Sequence, residues 1–168
     1  MSLGPVRLNH AVLFVADAEI AARFYTDVFG MEAVERHQNA AFLRLPRSGN
    51  HHDLGLFGVG PGPRQRPGGI GLYHLAWQVD TIDELVDFRS RLLAAGALVG
   101  ESSHGATKSL YGKDPDGHEF EVMWMLPRDS WGSYETQSVT ERLDLAAEIA
   151  SWSGVRTAGA VVPAVDPV

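Results

Sequence analysis

The chain has 168 residues, 45% of them hydrophobic and 21% charged, which is enough apolar material for a packed core and too much for disorder throughout. A formal charge of −7 disfavours a nucleic-acid partner, and no apolar run approaches the roughly 18 residues of a membrane span. With no cysteine, disulfides, thiolate chemistry and cysteine metal sites are all excluded.

Residues 8–17 read as a short strand, with His10 near its start and Asp17 at its end. A helical pattern follows, with Ile20, Phe24 and Phe29 on its apolar face, Asp17 as cap and Gly30 as stop. Residues 32–37, 40–45 and 52–59 then have strand character, and Arg47-Ser48-Gly49-Asn50 marks a turn between the last two. The same order returns after a Gly/Pro-rich stretch. Residues 72–80 form a strand with His74 near its start; Leu85, Phe88, Leu92 and Leu93 form a helix face, with Asp80 or Thr81 as cap and Gly96 as stop. Strands are expected at 97–101, 107–112 and 118–125, with Asp114-Pro115-Asp116-Gly117 as the turn. Phe24 follows His10 by the same interval as Phe88 follows His74, which marks an internal repeat of ~64 residues.

The expected fold is therefore α+β: two paired βαβββ modules, at 6–60 and 72–127, joined by a linker at 61–71 and forming a half-barrel cleft. Residues 128–168 form a C-terminal extension. It contains one helix, at 140–152, using Leu143, Leu145, Ala146, Ile149 and Trp152, and ends in a disordered Ala/Val/Pro-rich tail.

His10 and His74 occupy equivalent places in the repeat, and Glu121 sits in the last strand of the second copy. A lone strand histidine is ordinarily a hydrogen-bonded core residue. Glu121 is harder to place that way, because Phe120-Glu121-Val122-Met123-Trp124 is otherwise apolar and a buried carboxylate needs a partner. Two histidines and one carboxylate are the donor set that suits non-haem Fe(II) with open positions; the same atoms hold Mn(II) or Zn(II).

These residues carry a resemblance. Across about residues 6–127 the chain resembles the vicinal oxygen chelate superfamily, the glyoxalase/bleomycin-resistance/dioxygenase fold, and within it the type I extradiol dioxygenases related to catechol 2,3-dioxygenase. His10, His74 and Glu121 match the metal ligands, Glu121 following Asp114-Pro115-Asp116-Gly117-His118. His51-His52-Asp53-Leu54 is similar to the strand whose histidine handles protons, and His104-Gly105 with Tyr111 is similar to the His…Tyr pair that holds the catecholate. The resemblance implies an Fe(II)-dependent dioxygenase that inserts O2 into a catechol-type ring. In that reading His52 is the proton-handling group, Tyr111 orients the substrate oxygen and His104 donates to an oxygen at the metal. Strict alternation along a strand sets His51 with Asp53 and His52 with Leu54 and Leu56, so His51 is the second candidate.

Other residues have weaker claims. Lys108 reads as a solvated surface lysine with a substrate carboxylate as its other use, Arg64 and Arg66 as a basic loop, and Phe57, Trp77 and Met123 as core or pocket walls. Two other functions use the same fold. A glyoxalase-like isomerase or transferase takes a fourth metal ligand from the last strand of the first copy, where Asp53 is the candidate. A metal-free resistance protein binds a small molecule and lacks the ligand set. Fold alone does not choose among them. The expected partners are an aromatic substrate, O2 and a second copy of the chain, with no nucleic acid and no membrane. Met1-Ser2-Leu3-Gly4 carries no basic segment leading into an apolar one, so the expected location is the cytoplasm.

Overall fold

A computed structural model describes residues 4–5, 7–64 and 68–158. They fall into two compact units that part between Pro63 and Arg64. The first unit runs β1 (Ala11–Val15), α1 (Ala18–Phe29), β2 (Glu32–His37), β3 (Ala40–Arg44) and β4 (Leu54–Gly58). The second runs β5 (Leu75–Gln78), α2 (Ile82–Ala94), β6 (Leu98–Ser103), β7 (Thr107–Lys113) and β8 (Glu119–Met125), followed by two 3-10 turns and α3 (Leu145–Trp152). The sheets have matching orders, β1-β4-β3-β2 and β5-β8-β7-β6. In each, the first strand pairs parallel to the last and the rest is antiparallel. Even a register shift recurs, between Ala33 and Glu35 in one sheet and between Leu98 and Gly100 in the other. Each unit is a βαβββ module, as the repeat predicts.

Local chemistry explains the helices. Asp17 caps α1 by accepting from Glu19 N and Ile20 N, and Gly30 ends it with φ of 69°, a left-handed conformation that glycine adopts without a Cβ penalty. Thr81, not Asp80, caps α2 through Glu84 N. The buried face of α1 is Ala18, Ala21, Ala22, Tyr25, Val28 and Phe29, so Ile20 points outward. Ala18, Ala21 and Ala22 share that inner face with Tyr25 and Phe29. Likewise α2 buries Ile82, Leu85, Phe88 and Leu92 and leaves Leu93 exposed, a further 100° around the helix.

The strands alternate as half-buried sheets do. Leu13, Val15, Leu43, Leu54 and Leu56 pack beneath α1. Phe120, Val122 and Trp124 do so in the second unit, where the ring of Trp152 from α3 lies 6.1 Å from Trp124. Trp77 is in register with Val122 and so takes the helix side of its sheet rather than a pocket wall.

The C-terminal extension is docked. Glu141 makes a two-way backbone bridge to Ser103 on the edge strand β6, with both N–H···O distances 2.9 Å. Asp144 caps α3, which delays the helix start from the expected residue 140 to Leu145. Under α3, Lys108 is 7% exposed, bonded to Glu148 at 2.7 Å and to Ser103 Oγ at 3.0 Å, so it is a buried cation rather than a surface one. Arg64 donates to the Pro115 carbonyl. Arg66 and the tail from residue 159 lie outside the described residues, whereas Thr157 and Ala158 still hydrogen-bond Asp80. Among the described residues no helix is long and apolar enough to cross a membrane.

Candidate active site

In each unit the face away from the helix carries the candidate residues. On the first unit, His10 lies one residue before β1, in phase with Val12 and Phe14, whose side chains are exposed. Its Nδ1 lies 3.0 Å from Asn9 Oδ1. Asn9 in turn donates from Nδ2 to Asn50 Oδ1, and Asn50 donates from its own Nδ2 to the Asn9 carbonyl and to Asp53 Oδ1. Because the Asn9 amide nitrogen is already spent as a donor, its oxygen accepts, so His10 carries its proton on Nδ1. The lone pair on Nε2 is thereby presented for a metal, the usual arrangement of a ligating histidine with a hydrogen-bonded outer partner.

Residues 51–53 precede β4 as a bend, so strand alternation does not govern them. The His52 ring sits 4.5 Å from that of His10 and 5.3 Å from that of Phe42, while His51 is exposed and reaches His52 with Nδ1···Nδ1 of 3.1 Å. Desolvation, then the neighbouring imidazoles of His10 and His51, lower the pKa of His52 below the ordinary histidine value. Asp53 is buried and turned into its own loop, accepting from Leu45 N, Ser48 Oγ and Asn50 Nδ2. A carboxylate with three donors already in place is a loop anchor.

On the second unit, β8 places Glu121 opposite Tyr111 of β7 and Ala76 of β5. His74, two residues before Ala76, shares that face, and its Nε2 lies 3.1 Å from Glu121 Oε2, with the carboxylate 12% exposed. That is about the separation that two adjacent ligands of one ion keep when each bond is roughly 2.1 Å. The imidazole of His74 is 5.8 Å from the ring of Tyr111. The Tyr111 hydroxyl is 2.8 Å from His104 Nε2, and Ser102 Oγ is 2.9 Å from the same nitrogen. His104 Nδ1 meets the Val139 carbonyl at 3.0 Å. Phe57 and Met123 both fall on these open faces.

The structure thus pairs His10 with His52 on one unit and His74, Glu121, Tyr111 and His104 on the other. Among the described residues no three His, Asp or Glu side chains are gathered as a metal set. Sequence reasoning missed Asn9, Asn50, Ser102 and Val139. Adjacency to His10 was the available signal for Asn9. Ser102 stands only two residues before His104, whereas Asn50 and Val139 act across contacts 41 and 35 residues apart in the chain.

The repeat registers reveal an asymmetry. Val12, two residues after His10, is in register with Gly55, just as Ala76, two after His74, is in register with Glu121. Phe42 is in register with Gly55 as Tyr111 is with Glu121. The first unit therefore has glycine and phenylalanine where the second has its carboxylate and its phenol.

The doubled βαβββ scaffold places the chain in a family. The chain belongs to the Glyoxalase/Bleomycin resistance protein/Dioxygenase superfamily, whose family model matches residues 7–122. It is 34% identical over 119 residues to biphenyl-2,3-diol 1,2-dioxygenase 3 of Rhodococcus globerulus, covering 69% of this chain and 62% of that protein. It is 29% identical over 123 residues to the manganese-dependent 2,3-dihydroxybiphenyl 1,2-dioxygenase of Geobacillus genomosp. 3, covering 70% of this chain but 36% of that one. The chain thus spans less than two thirds of the length of either relative. Among solved structures, lactoylglutathione lyase from Agrobacterium tumefaciens matches with a TM-score of 0.54 at 25% identity, over 71% of this chain and 94% of its own.

Proposed function

We propose that the chain is a metal-dependent extradiol dioxygenase that cleaves a catechol-type ring with O2, its ion held by His10, His74 and Glu121. Fe(II) is the first choice of metal, with Mn(II) or Zn(II) accommodated by the same donors. The observation that carries this reading is the His74–Glu121 pair sharing one sheet face with the Tyr111–His104 pair. The donor set fits: His10 offers Nε2 because Asn9 occupies Nδ1, and His74 Nε2 and Glu121 Oε2 already converge.

When bound, such an ion supplies adjacent open positions for the substrate oxygens and for O2. The protein's part is binding, orientation and proton handling. His52, neutral at neutral pH because its pKa is lowered, takes the substrate's hydroxyl proton at Nε2 in the tautomer whose Nδ1 donates to His51. Tyr111 orients the substrate oxygen through its hydroxyl.

The relatives named as dioxygenases support this class. The four-ligand isomerase reading loses ground because the repeat position of its extra carboxylate is Gly55 and Asp53 serves its own loop. In this reading the enzyme works in the cytoplasm as a homodimer, a second copy covering the exposed Val12 and Phe14.

Oxygen uptake by anaerobically Fe(II)-loaded protein, tested against a panel of catechols with His10→Ala as blank, decides the matter. The expected result is uptake matched by a yellow ring-opened semialdehyde and lost in the variant. Stoichiometric metal binding with no uptake from any catechol would overturn the reading.

A further inference from the structure

Residues 128–142 pass from the end of β8 to the bridge with Ser103 and lie against the turn between β6 and β7. Gly105, at φ of 76°, sits so close beneath the Tyr134 ring that a Cβ there would clash with it. Two residues short of the bridge, the Val139 carbonyl meets His104 Nδ1, and Thr140 Oγ1 lies 3.3 Å from the same atom. A carbonyl can only accept, so His104 Nδ1 donates, and in the neutral imidazole Nε2 is then an acceptor with a single in-plane lone pair. Two hydroxyls compete for it: Tyr111 at 2.8 Å and Ser102 at 2.9 Å, with Ser102 Oγ 3.5 Å from the phenolic oxygen.

We propose that this C-terminal strap is a positioning element of the site: Val139 fixes the His104 proton on Nδ1, and Ser102 replaces Tyr111 at His104 Nε2 when the phenol turns its proton to a bound ligand's oxygen. His104 is then a positioning residue that acts through Tyr111, not the direct donor that the family resemblance implies. The exchange costs little because one hydroxyl replaces another and the half-buried nitrogen is never left unpaired. The ligand class is an oxyanion on a flat ring, and in naming it the inference rests on the reading of function above.

The test has two arms. In metal-free protein labelled with 15N-histidine, long-range proton–nitrogen correlation at pH 8 is expected to find His104 protonated at Nδ1 alone. In Glu141→Pro, which removes the bridge donor to the Ser103 carbonyl, that tautomer is expected to give way to a mixture. An Nε2–H tautomer or an imidazolium in the unaltered chain, or an unchanged signal in folded Glu141→Pro, would overturn the strap's role whatever the chain does to catechols. In the second arm, with Fe(II)-loaded enzyme and catechol, Ser102→Ala is expected to raise KM about tenfold, the equivalent of one hydrogen bond, with kcat held within about twofold. Ser102→Thr, which keeps the hydroxyl, should restore KM. Equal KM in Ser102→Ala and the parent would overturn the exchange. Absence of turnover with the expected tautomer would sink the assigned function and leave the strap's role standing.

Discussion

The two βαβββ units share strand order, parallel closure and the site of a register shift, yet their open faces have diverged. One presents Val12, Phe14, Phe42 and Gly55 with two imidazoles; the other presents Glu121, Tyr111 and His74, with a strap of chain docked against its edge. Duplication copied the scaffold and the leading histidine. It did not keep two sets of chemistry. The carboxylate, the phenol and the polar network behind it stand on the second copy, while the first keeps His10, its Asn9–Asn50 support and His52. The sharpest point of divergence between the two open faces is Gly55, which stands in the first unit where Glu121 stands in the second.

Restoring the symmetry is the sharpest way to break that comparison. Gly55→Glu puts a carboxylate at the repeat position of Glu121, where an added Cβ meets Val12 and Phe42 at 3.4 and 3.5 Å, ordinary or slightly tight contacts. The expected outcome is metal retained while oxygen uptake with catechols falls by more than about 100-fold, equivalent to roughly 2.7 kcal/mol of barrier. Metal analysis and an oxygen electrode check both. Making the second unit like the first, through Tyr111→Phe, should lower kcat/KM by about 10²- to 10³-fold, the usual effect of deleting one donor aimed at a reacting oxygen. Steady-state kinetics against the parent enzyme reads it.

A stability difference follows from the docked extension. Glu148→Ala strands the buried Lys108 ammonium beneath α3 and should destabilise the chain by about 3–5 kcal/mol, whereas Lys108→Met with Glu148→Leu should come within about 1 kcal/mol of the parent. Urea unfolding measures both.

The smallest effect lies in the Asp-Pro-Asp-Gly turn. The His118 pKa is raised above 6.5, first by its hydrogen bond to Asp114 and further by that carboxylate's charge. A raised folded pKa means stability present in full below pH 6.5 and lost as pH climbs through the folded value. Unfolding free energy measured between pH 5 and pH 8 should therefore fall slightly across that interval in the parent, and the slope should flatten in His118→Gln.

Much of this was legible in the chain itself. Caps and stops were readable because they are local: Asp17 and Gly30 satisfy backbone groups within one turn of themselves. Strand segments were readable to within two or three residues. The helix faces were readable only in part, since Ile20 and Leu93 look like core residues until Ala21, Ala22 and the angular position of Leu92 are weighed against them. Lys108 looked like a surface residue because nothing near it in sequence announces Glu148, on a helix that arrives after the second module is complete. His52 and His51 could not be ordered by alternation, because alternation holds only inside a strand and these residues lie in the bend before one. The counterpart relation between Gly55 and Glu121 needs strand register, a property of pairing that spacing along one chain does not contain.

The proposed function rests on His10, His74 and Glu121 serving as ligands of one ion. Calorimetric titration of Mn(II) into the metal-free chain, with His10→Ala, His74→Ala and Glu121→Gln alongside, tests it most directly. The account predicts one ion per chain in the parent and affinity lost by at least about tenfold in each variant. Undiminished binding in His10→Ala would contradict it and confine the metal to the second unit.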